Sequence, residues 1–313
     1  MDIEKIGVSS LENYFANFGW IKPFFDTNDK TPSWDGYMIL YSKDNGYKKE
    51  NIKAKIDVQI KSQMVDSFSE STKKYLFEKS DLTNYMKNNG IVLFVIEIEK
   101  ELKSINRNIK FFYELLTPIE LNNILKKDKK IKGKKSVLLR EMKVGNPDSL
   151  YRELLDFHID CKKQSYNYEI NPILMNKVDS LSFSFTSNER DFFSDLFKRN
   201  HFLYGKISNS FIPVSNGRIK INSISREIEH KVIINKNVYF ESIDVTIDNE
   251  ENIIYNIFDC VEINSSQGSL NYTAKGTISQ IIKCYEFLSD LKKYGECLIG
   301  DNQIEVNYLN GIN

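Results

Sequence analysis

Trp34-Asp-Gly-Tyr-Met-Ile-Leu-Tyr41 and Ile56-Asp-Val-Gln-Ile-Lys-Ser62 decide how the first half of this chain is read. In the first stretch a carboxylate, Asp35, stands at the start of an apolar strand. It precedes Gly36, whose missing side chain permits close backbone approach. In the second stretch side chains alternate, so Asp57, Gln59 and Lys61 share one face, while Ile56, Val58 and Ile60 share the other, the core face. Buried polar groups need partners or water. One solution gathers the three polar side chains in a cleft beside Asp35. There a carboxylate and an amide oxygen are hard ligands suited to Mg²⁺. A lysine beside them can stabilise charge building on a phosphoryl oxygen, or help to orient and deprotonate an attacking water. The other solution is a half-exposed antiparallel strand with an ordinary polar face, and periodicity alone favours it because such alternation is common.

Outward from these strands, the pattern alternates between helix and strand. Leu11, Tyr14, Phe15 and Phe18 follow helical spacing over residues 9–18, with Ser9 or Ser10 as cap. Asp26-Thr-Asn-Asp-Lys-Thr-Pro-Ser33 is a loop, and the second strand spans about Lys53 to Ser62. Residues 79–88 form a short helix with Leu82, Tyr85 and Met86 on its apolar side. Ile91 to Ile96 is a continuous apolar run, which fits a strand buried on both faces. Lys110 to Leu116 is a strand, and Thr117-Pro-Ile-Glu120 opens a helix with a capping box. Residues 150–162 give a further amphipathic helix.

Beyond residue 165 the character changes to short β-like stretches between Phe202 and Val261, followed by a helix over Thr277 to Lys293 with Ile281, Cys284, Tyr285 and Leu288 on one face. The expected organisation is two domains, 1–165 and 166–313. The first is an α/β domain with a mixed central sheet flanked by helices, and the second is a β-rich α+β domain. A length of 313 residues suits two domains, and 41% hydrophobic residues suffice for real cores. Lys plus Arg equals Asp plus Glu at 43 each, which argues against a protein that coats nucleic acid through charge alone. The four cysteines form no C-x-x-C pair and stand at no zinc-ligand spacing, which fits reduced, buried thiols. The first fifteen residues lack the apolar core of a signal peptide, and Ile91 to Ile96 is too short to span a bilayer. A cytoplasmic protein with no membrane contact is the expectation.

The ordered series Glu12, Trp34-Asp35-Gly36 and Val58-Gln59-Ile60-Lys61 resembles the Mrr-like branch of the PD-(D/E)XK nuclease superfamily, in which Gln often replaces the acidic residue of the (D/E)-x-K pair. Asn28-Asp-Lys-Thr-Pro-Ser-Trp-Asp-Gly36 followed by Val-Gln-Ile-Lys61 is more closely similar to a bacterial family of unknown function often found beside antiphage defence genes. The likeness runs on through Ile91 to Glu97, Phe111 to Leu116 and Thr117 to Leu121, and fades near residue 165. It implies a restriction-endonuclease-like fold and a Mg²⁺- or Mn²⁺-dependent endonuclease acting on DNA. It implies Asp35 and Gln59 as metal ligands, Lys61 as the catalytic lysine, and Glu12 as a helix carboxylate added to the metal shell. The rival reading of Glu12 is a carboxylate placed early in its helix by the helix dipole. Asp57 has no counterpart in the pattern; it either supplies charge that Gln59 lacks or pairs with Lys53 or Lys55. Ser62 is a further candidate for phosphate contact.

Other features carry less. The run Lys126 to Lys135 reads either as a backbone-binding patch or as a solvated helix end. His158, His201 and His230 are scattered and pair with no nucleophile. The second half resembles no family; a role in sensing, partner binding or oligomerisation is its expected contribution. A second expectation for the whole chain is a nuclease fold with little or no catalysis, binding nucleic acid or a protein partner in a defence complex, because Gln59 leaves the metal site one charge short.

Overall fold

The computed structural model describes residues 2–26, 33–43, 46–100, 108–127, 133–165, 169, 172–188, 190 and 192–305. The chain divides into two compact units, residues 1–188 with 201–219, and residues 189–200 with 220–313.

The first unit is a mixed α/β structure built on one seven-stranded sheet. Helix α1 (Ile3–Ala16) leads into β1 (Ile21–Phe25), β2 (Gly36–Tyr41), β3 (Ile52–Val65) and β4 (Thr72–Glu78). Then follow α2 (Lys79–Lys87), β5 (Ile91–Glu99), β6 (Ile109–Leu116), α3 (Pro118–Lys126), β7 (Lys134–Glu141) and α4 (Pro147–Gln164). The spatial order is β1-β2-β3-β5-β6-β7-β4. β3 and β5 run parallel, with Gln59 beside Leu93 and Lys61 beside Val95, and the other neighbours are antiparallel.

Apolar alternation covers both faces of this sheet. Ile56, Val58 and Ile60 of β3, with Val92, Phe94 and Ile96 of β5, pack under Val8, Leu11 and Phe15 of α1 and Leu154 and Phe157 of α4. Ile91, Leu93 and Val95 face the other way, toward Leu82 and Tyr85 of α2 and Leu121 of α3. The apolar run beginning at Ile91 is therefore an inner strand, as its composition requires. The same layering overturns the half-exposed reading of β3, which is an inner strand with Gln59 only 3% exposed. Strands β1, β4 and β7, which the sequence did not signal, complete the sheet. β4 and β7 each hold only a three-residue apolar run, Tyr75-Leu76-Phe77 and Val137-Leu138-Leu139, whose middle leucine faces outward and whose flanks are charged or polar, so the inward stripe is short and the period-2 alternation is broken.

Helix α1 begins earlier than its strongest periodicity. Asp2 caps it, accepting from the Lys5 N–H at 3.0 Å, whereas Ser10 lies inside the helix with its hydroxyl turned back to the Ile6 carbonyl. The capping box of α3 is present as expected. Helix α4 ends at Gln164, beside the expected boundary at 165, but contacts carry the unit further. Tyr204 is fully buried; its hydroxyl donates to Asp160 and accepts from Gln164, each at 2.9 Å. Arg218 meets Glu120 at 3.0 Å. These links hold residues 201–219 to α3 and α4.

The second unit is β-rich. Strands Ser223–Ile228, Ile243–Asp248, Ile253–Ile257, Val261–Asn264 and Ser269–Tyr272 form an antiparallel sheet in that order. A four-stranded antiparallel sheet includes Val232–Ile234 and Glu296–Ile299. The helix Ile278–Tyr294 buries Cys284, Phe287, Leu288 and Leu291. Tyr285, expected on that face, is 60% exposed; the buried stripe runs through Phe287 instead. Among the described residues no helix is long and apolar enough to cross a membrane.

One buried charge ties the sheet together. Glu97 of β5 is fully buried and accepts from the Ser69 N–H and hydroxyl, both at 2.7 Å, and from Gln63 at 3.1 Å; Lys73 Nζ lies 2.6 Å away. It thereby pins the connection between β3 and β4 across β5. Burial pushes this carboxyl up, but the hydrogen bonds from Lys73 and Ser69 outweigh it and hold it below the ordinary range. Its stabilising contribution is thus present above the unfolded value of about 4.3 and is lost as pH falls through the lower folded value. Glu97→Gln is expected to cost roughly 3 kcal/mol at neutral pH by leaving the largely buried Lys73 charge without a counter-charge. Thermal melting across pH checks this, and the gap between variant and wild type should close below about pH 4.

Candidate functional site

The site forms where β2 stops pairing with β3. The ladder begins at Gly36 opposite Val58, and Asp35 stands just before it. Two backbone hydrogen bonds fix Asp35: its N–H donates to Val58 O at 3.0 Å and its carbonyl accepts from Asp26 N at 2.9 Å. Gly36 makes this crossing feasible. Its φ is +134°, and a Cβ there would overlap the Phe24 carbonyl oxygen of β1. Beyond the end of the ladder, Ile60 N–H would lack a strand partner. Asp35 Oδ2 takes that role, accepting from it at 2.7 Å.

The same carboxylate oxygen accepts from Gln59 Nε2. The other end of that amide is also engaged, because Tyr85 Oη donates to Gln59 Oε1 at 2.8 Å. Tyr85 belongs to α2 and is itself fully buried. Burial, with Asp81 and Asp35 nearby, pushes its hydroxyl well above the ordinary tyrosine range, so it remains a donor. Two further residues of α2 hold the chain ahead of Asp35: Ser33 Oγ donates to Asp81 Oδ1 at 2.9 Å and accepts from Asn84 Nδ2 at 3.1 Å. Asp81, Asn84 and Tyr85 stand at i, i+3 and i+4, one face of the helix. The ring of Trp34 meets that of Tyr85 edge-on, with centroids 6.0 Å apart.

Lys61 follows Gln59 on the same face of β3, half-buried, and makes no hydrogen bond or ion pair with a described residue. A half-buried ammonium without a partner is unusual, since the charge is partly stripped of water with nothing returned.

The remaining candidates separate from this cluster. Asp57 is half-buried beside Tyr37 and lines a different space, a cleft of about 220 Å³ with Lys55, Asn88, Asn89, Gly90, His158 and Lys162. Burial raises its pKa against the opposing pull of Lys55. Ser62 points to the opposite face of the sheet, beneath α1, where a Cβ on Gly7 would overlap its hydroxyl. The phosphate-contact expectation for Ser62 therefore fails on strand alternation. Glu12 lies on α1, the helix covering that same opposite face, and no hydrogen bond or ion pair joins it to Asp35, Gln59 or Lys61. Nor does it stand in the first turn, since α1 starts at Ile3, so dipole stabilisation does not explain it. Within the basic run, residues 128–132 lie outside the described residues. Of the rest, Lys126 pairs with Glu169 at 2.7 Å, Lys134 with Glu78 at 3.1 Å, and Lys135 is buried against the Lys127 carbonyl.

Among the described residues no group of three or more His, Cys, Asp or Glu side chains is arranged to hold a metal ion. The donor pair Asp35 and Gln59 presents a carboxylate oxygen and an amide N–H to each other, which does not suit a cation. A half-turn of the amide would present two oxygens; the Tyr85 hydroxyl could then accept from the NH₂, at the cost of the acceptor its own proton has on Gln59. The donor set therefore fits Mg²⁺ or Mn²⁺ after that rotation. Compared with known proteins, the chain matches no family model, no curated protein and no solved structure.

Gln59 and Lys61 should differ sharply in what they do for stability. Gln59→Leu orphans the Tyr85 hydroxyl and is expected to cost about 1–3 kcal/mol. Lys61→Ala breaks no hydrogen bond or ion pair with a described residue and should stay within about 0.5 kcal/mol. Denaturant melts of both variants check the contrast.

Proposed function

We propose that the chain is a divalent-cation-dependent endonuclease that hydrolyses phosphodiester bonds of DNA, acts in the cytoplasm and serves bacterial antiphage defence. One observation carries the reading: Asp35 and Gln59 meet at one point of the central sheet, and Lys61, without a partner among the described residues, stands next on the same face. The resemblance of Asp35-Gly36 and Gln59-Ile-Lys61 to Mrr-like PD-(D/E)XK nucleases supports it and supplies the substrate class and setting. The sheet with helices on both faces is compatible with such a fold.

In this reading Asp35 and the turned Gln59 oxygen would hold the cation, which when bound supplies charge neutralisation at the phosphate and acidifies water. The residues of the chain do the rest. Asp35 is held in place before substrate arrives by the Val58, Ile60 and Asp26 backbone groups, so only the Gln59 amide would have to turn. Lys61, half-buried on the same face, would place a positive charge beside the phosphoryl oxygen as negative charge builds there. The second unit would position the nuclease or answer to a partner, and neutral net charge fits a DNA affinity that rises on assembly.

A second reading is favoured by the Gln59 N–H on Asp35: a module that keeps the fold and binds nucleic acid or a protein partner with little catalysis. Purified wild type and Lys61→Ala, incubated with plasmid DNA, single-stranded DNA and RNA in Mg²⁺, Mn²⁺ or EDTA, decide between them. The expected outcome is metal-dependent DNA cleavage reduced about 10²-fold or more in the variant. Absence of cleavage under all conditions would favour the binding module.

A further inference from the structure

The two ends of the Gln59 amide are chemically different, and the site uses both. In the present arrangement the NH₂ group faces Asp35 and the oxygen receives the Tyr85 hydroxyl. Gln59 is 3% exposed and Tyr85 fully buried, so water cannot replace either partner. Turning the amide by half would set its oxygen toward the Asp35 carboxylate and its NH₂ toward Tyr85. Without a cation the first contact is repulsive. A cation beside Asp35 removes that repulsion, but the second cost stays: the Tyr85 proton loses the acceptor it now has on Gln59.

Tyr85 has little freedom to escape this cost. Its helix is clipped to the segment leading into Asp35 by Asp81 and Asn84 through Ser33. Its ring is packed against Trp34 and lies in the core with Leu82, Leu93 and Val95. A shift of the hydroxyl away from Gln59 would disturb all of these contacts.

We propose that Tyr85 is a positioning residue that latches the Gln59 N–H onto Asp35 and so keeps the cation affinity of the site low. The inference rests on the reading of Asp35 and Gln59 as cation ligands. The latch acts through hydrogen-bond polarity alone and moves no backbone. It also explains why a glutamine is workable here: an amide can be held wrong end first, whereas a carboxylate has no wrong end.

Mn²⁺ binding to the full chain, measured by isothermal titration calorimetry, tests this with Tyr85→Phe, Gln59→Glu and the double variant. Tyr85→Phe should bind Mn²⁺ about fivefold to tenfold tighter than wild type, the worth of one hydrogen bond. Gln59→Glu should also bind tighter, and adding Tyr85→Phe to it should give no further gain. Unchanged or weaker binding by a folded Tyr85→Phe overturns the latch, as does further tightening in the Gln59→Glu background. If Tyr85→Phe does not fold, the side-chain ¹⁵N–¹H signals of Gln59 in wild type decide: a large shift on adding Mg²⁺ supports the turn, and unmoved signals in the bound state overturn it. If neither wild type nor Gln59→Glu binds Mn²⁺, the metal-site reading itself fails. That outcome is distinct from one in which the cation binds and Tyr85 has no effect.

Discussion

A buried primary amide must have a partner at each end, and the fold around Gln59 is arranged to meet that requirement. Its NH₂ finds Asp35 at the start of β2, and its oxygen finds Tyr85 on α2. One side chain on an inner strand thus joins the neighbouring strand, the helix on one face and the point where two strands part. Losing a partner for either end would cost about 1–3 kcal/mol, a large share of the net stability of an ordinary domain. Geometry here is set by satisfaction of polar groups in a dry layer, and the chemistry proposed for the site inherits that rigidity.

The separation of β2 from β3 is what makes a carboxylate useful at position 35. Where the ladder stops, a backbone N–H on the inner strand is left over, and Asp35 takes it up. A second carboxylate, Glu97, performs the corresponding task further along the sheet, where the connection after β3 crosses β5. Both are acidic groups placed where regular strand pairing runs out. They differ in what accompanies them: Glu97 is paired with Lys73, whereas the lysine nearest Asp35 along the site face, Lys61, has no partner among the described residues. That contrast sets a structural clamp apart from the arrangement the proposed function requires at Asp35.

Much of this was legible in the sequence, for reasons that can be traced. Strict alternation in Ile56 to Lys61 placed Gln59 and Lys61 on one face, and the turn residues before Trp34 placed Asp35 at a strand start. The same rule, applied one residue further, puts Ser62 on the opposite face, under α1, despite its closeness along the chain to Lys61. Tyr85 was read as part of an apolar helix stripe, which it is; helical periodicity carries no information on where a buried hydroxyl points. Glu97 carries a sequence signal of its own, a carboxylate closing a run of six apolar residues, Ile91 to Ile96. Strands β4 and β7 are hard to read because an outward leucine, Leu76 or Leu138, sits between their inward apolar residues and breaks the alternation, and charged residues flank the short run. In the second unit Tyr285 was placed on the buried side by spacing, yet Phe287 fills that core, since a helix turned by a few tens of degrees satisfies the same i, i+4 pattern.

The most direct test of the account is an anomalous difference map from crystals of the full chain grown or soaked with Mn²⁺. A peak is expected beside the Asp35 carboxylate, with Gln59 Oε1 turned toward it and Tyr85 accepting from the amide. A peak placed instead in the cleft at Asp57, or no peak with the Gln59 N–H still on Asp35 at saturating Mn²⁺, would contradict it.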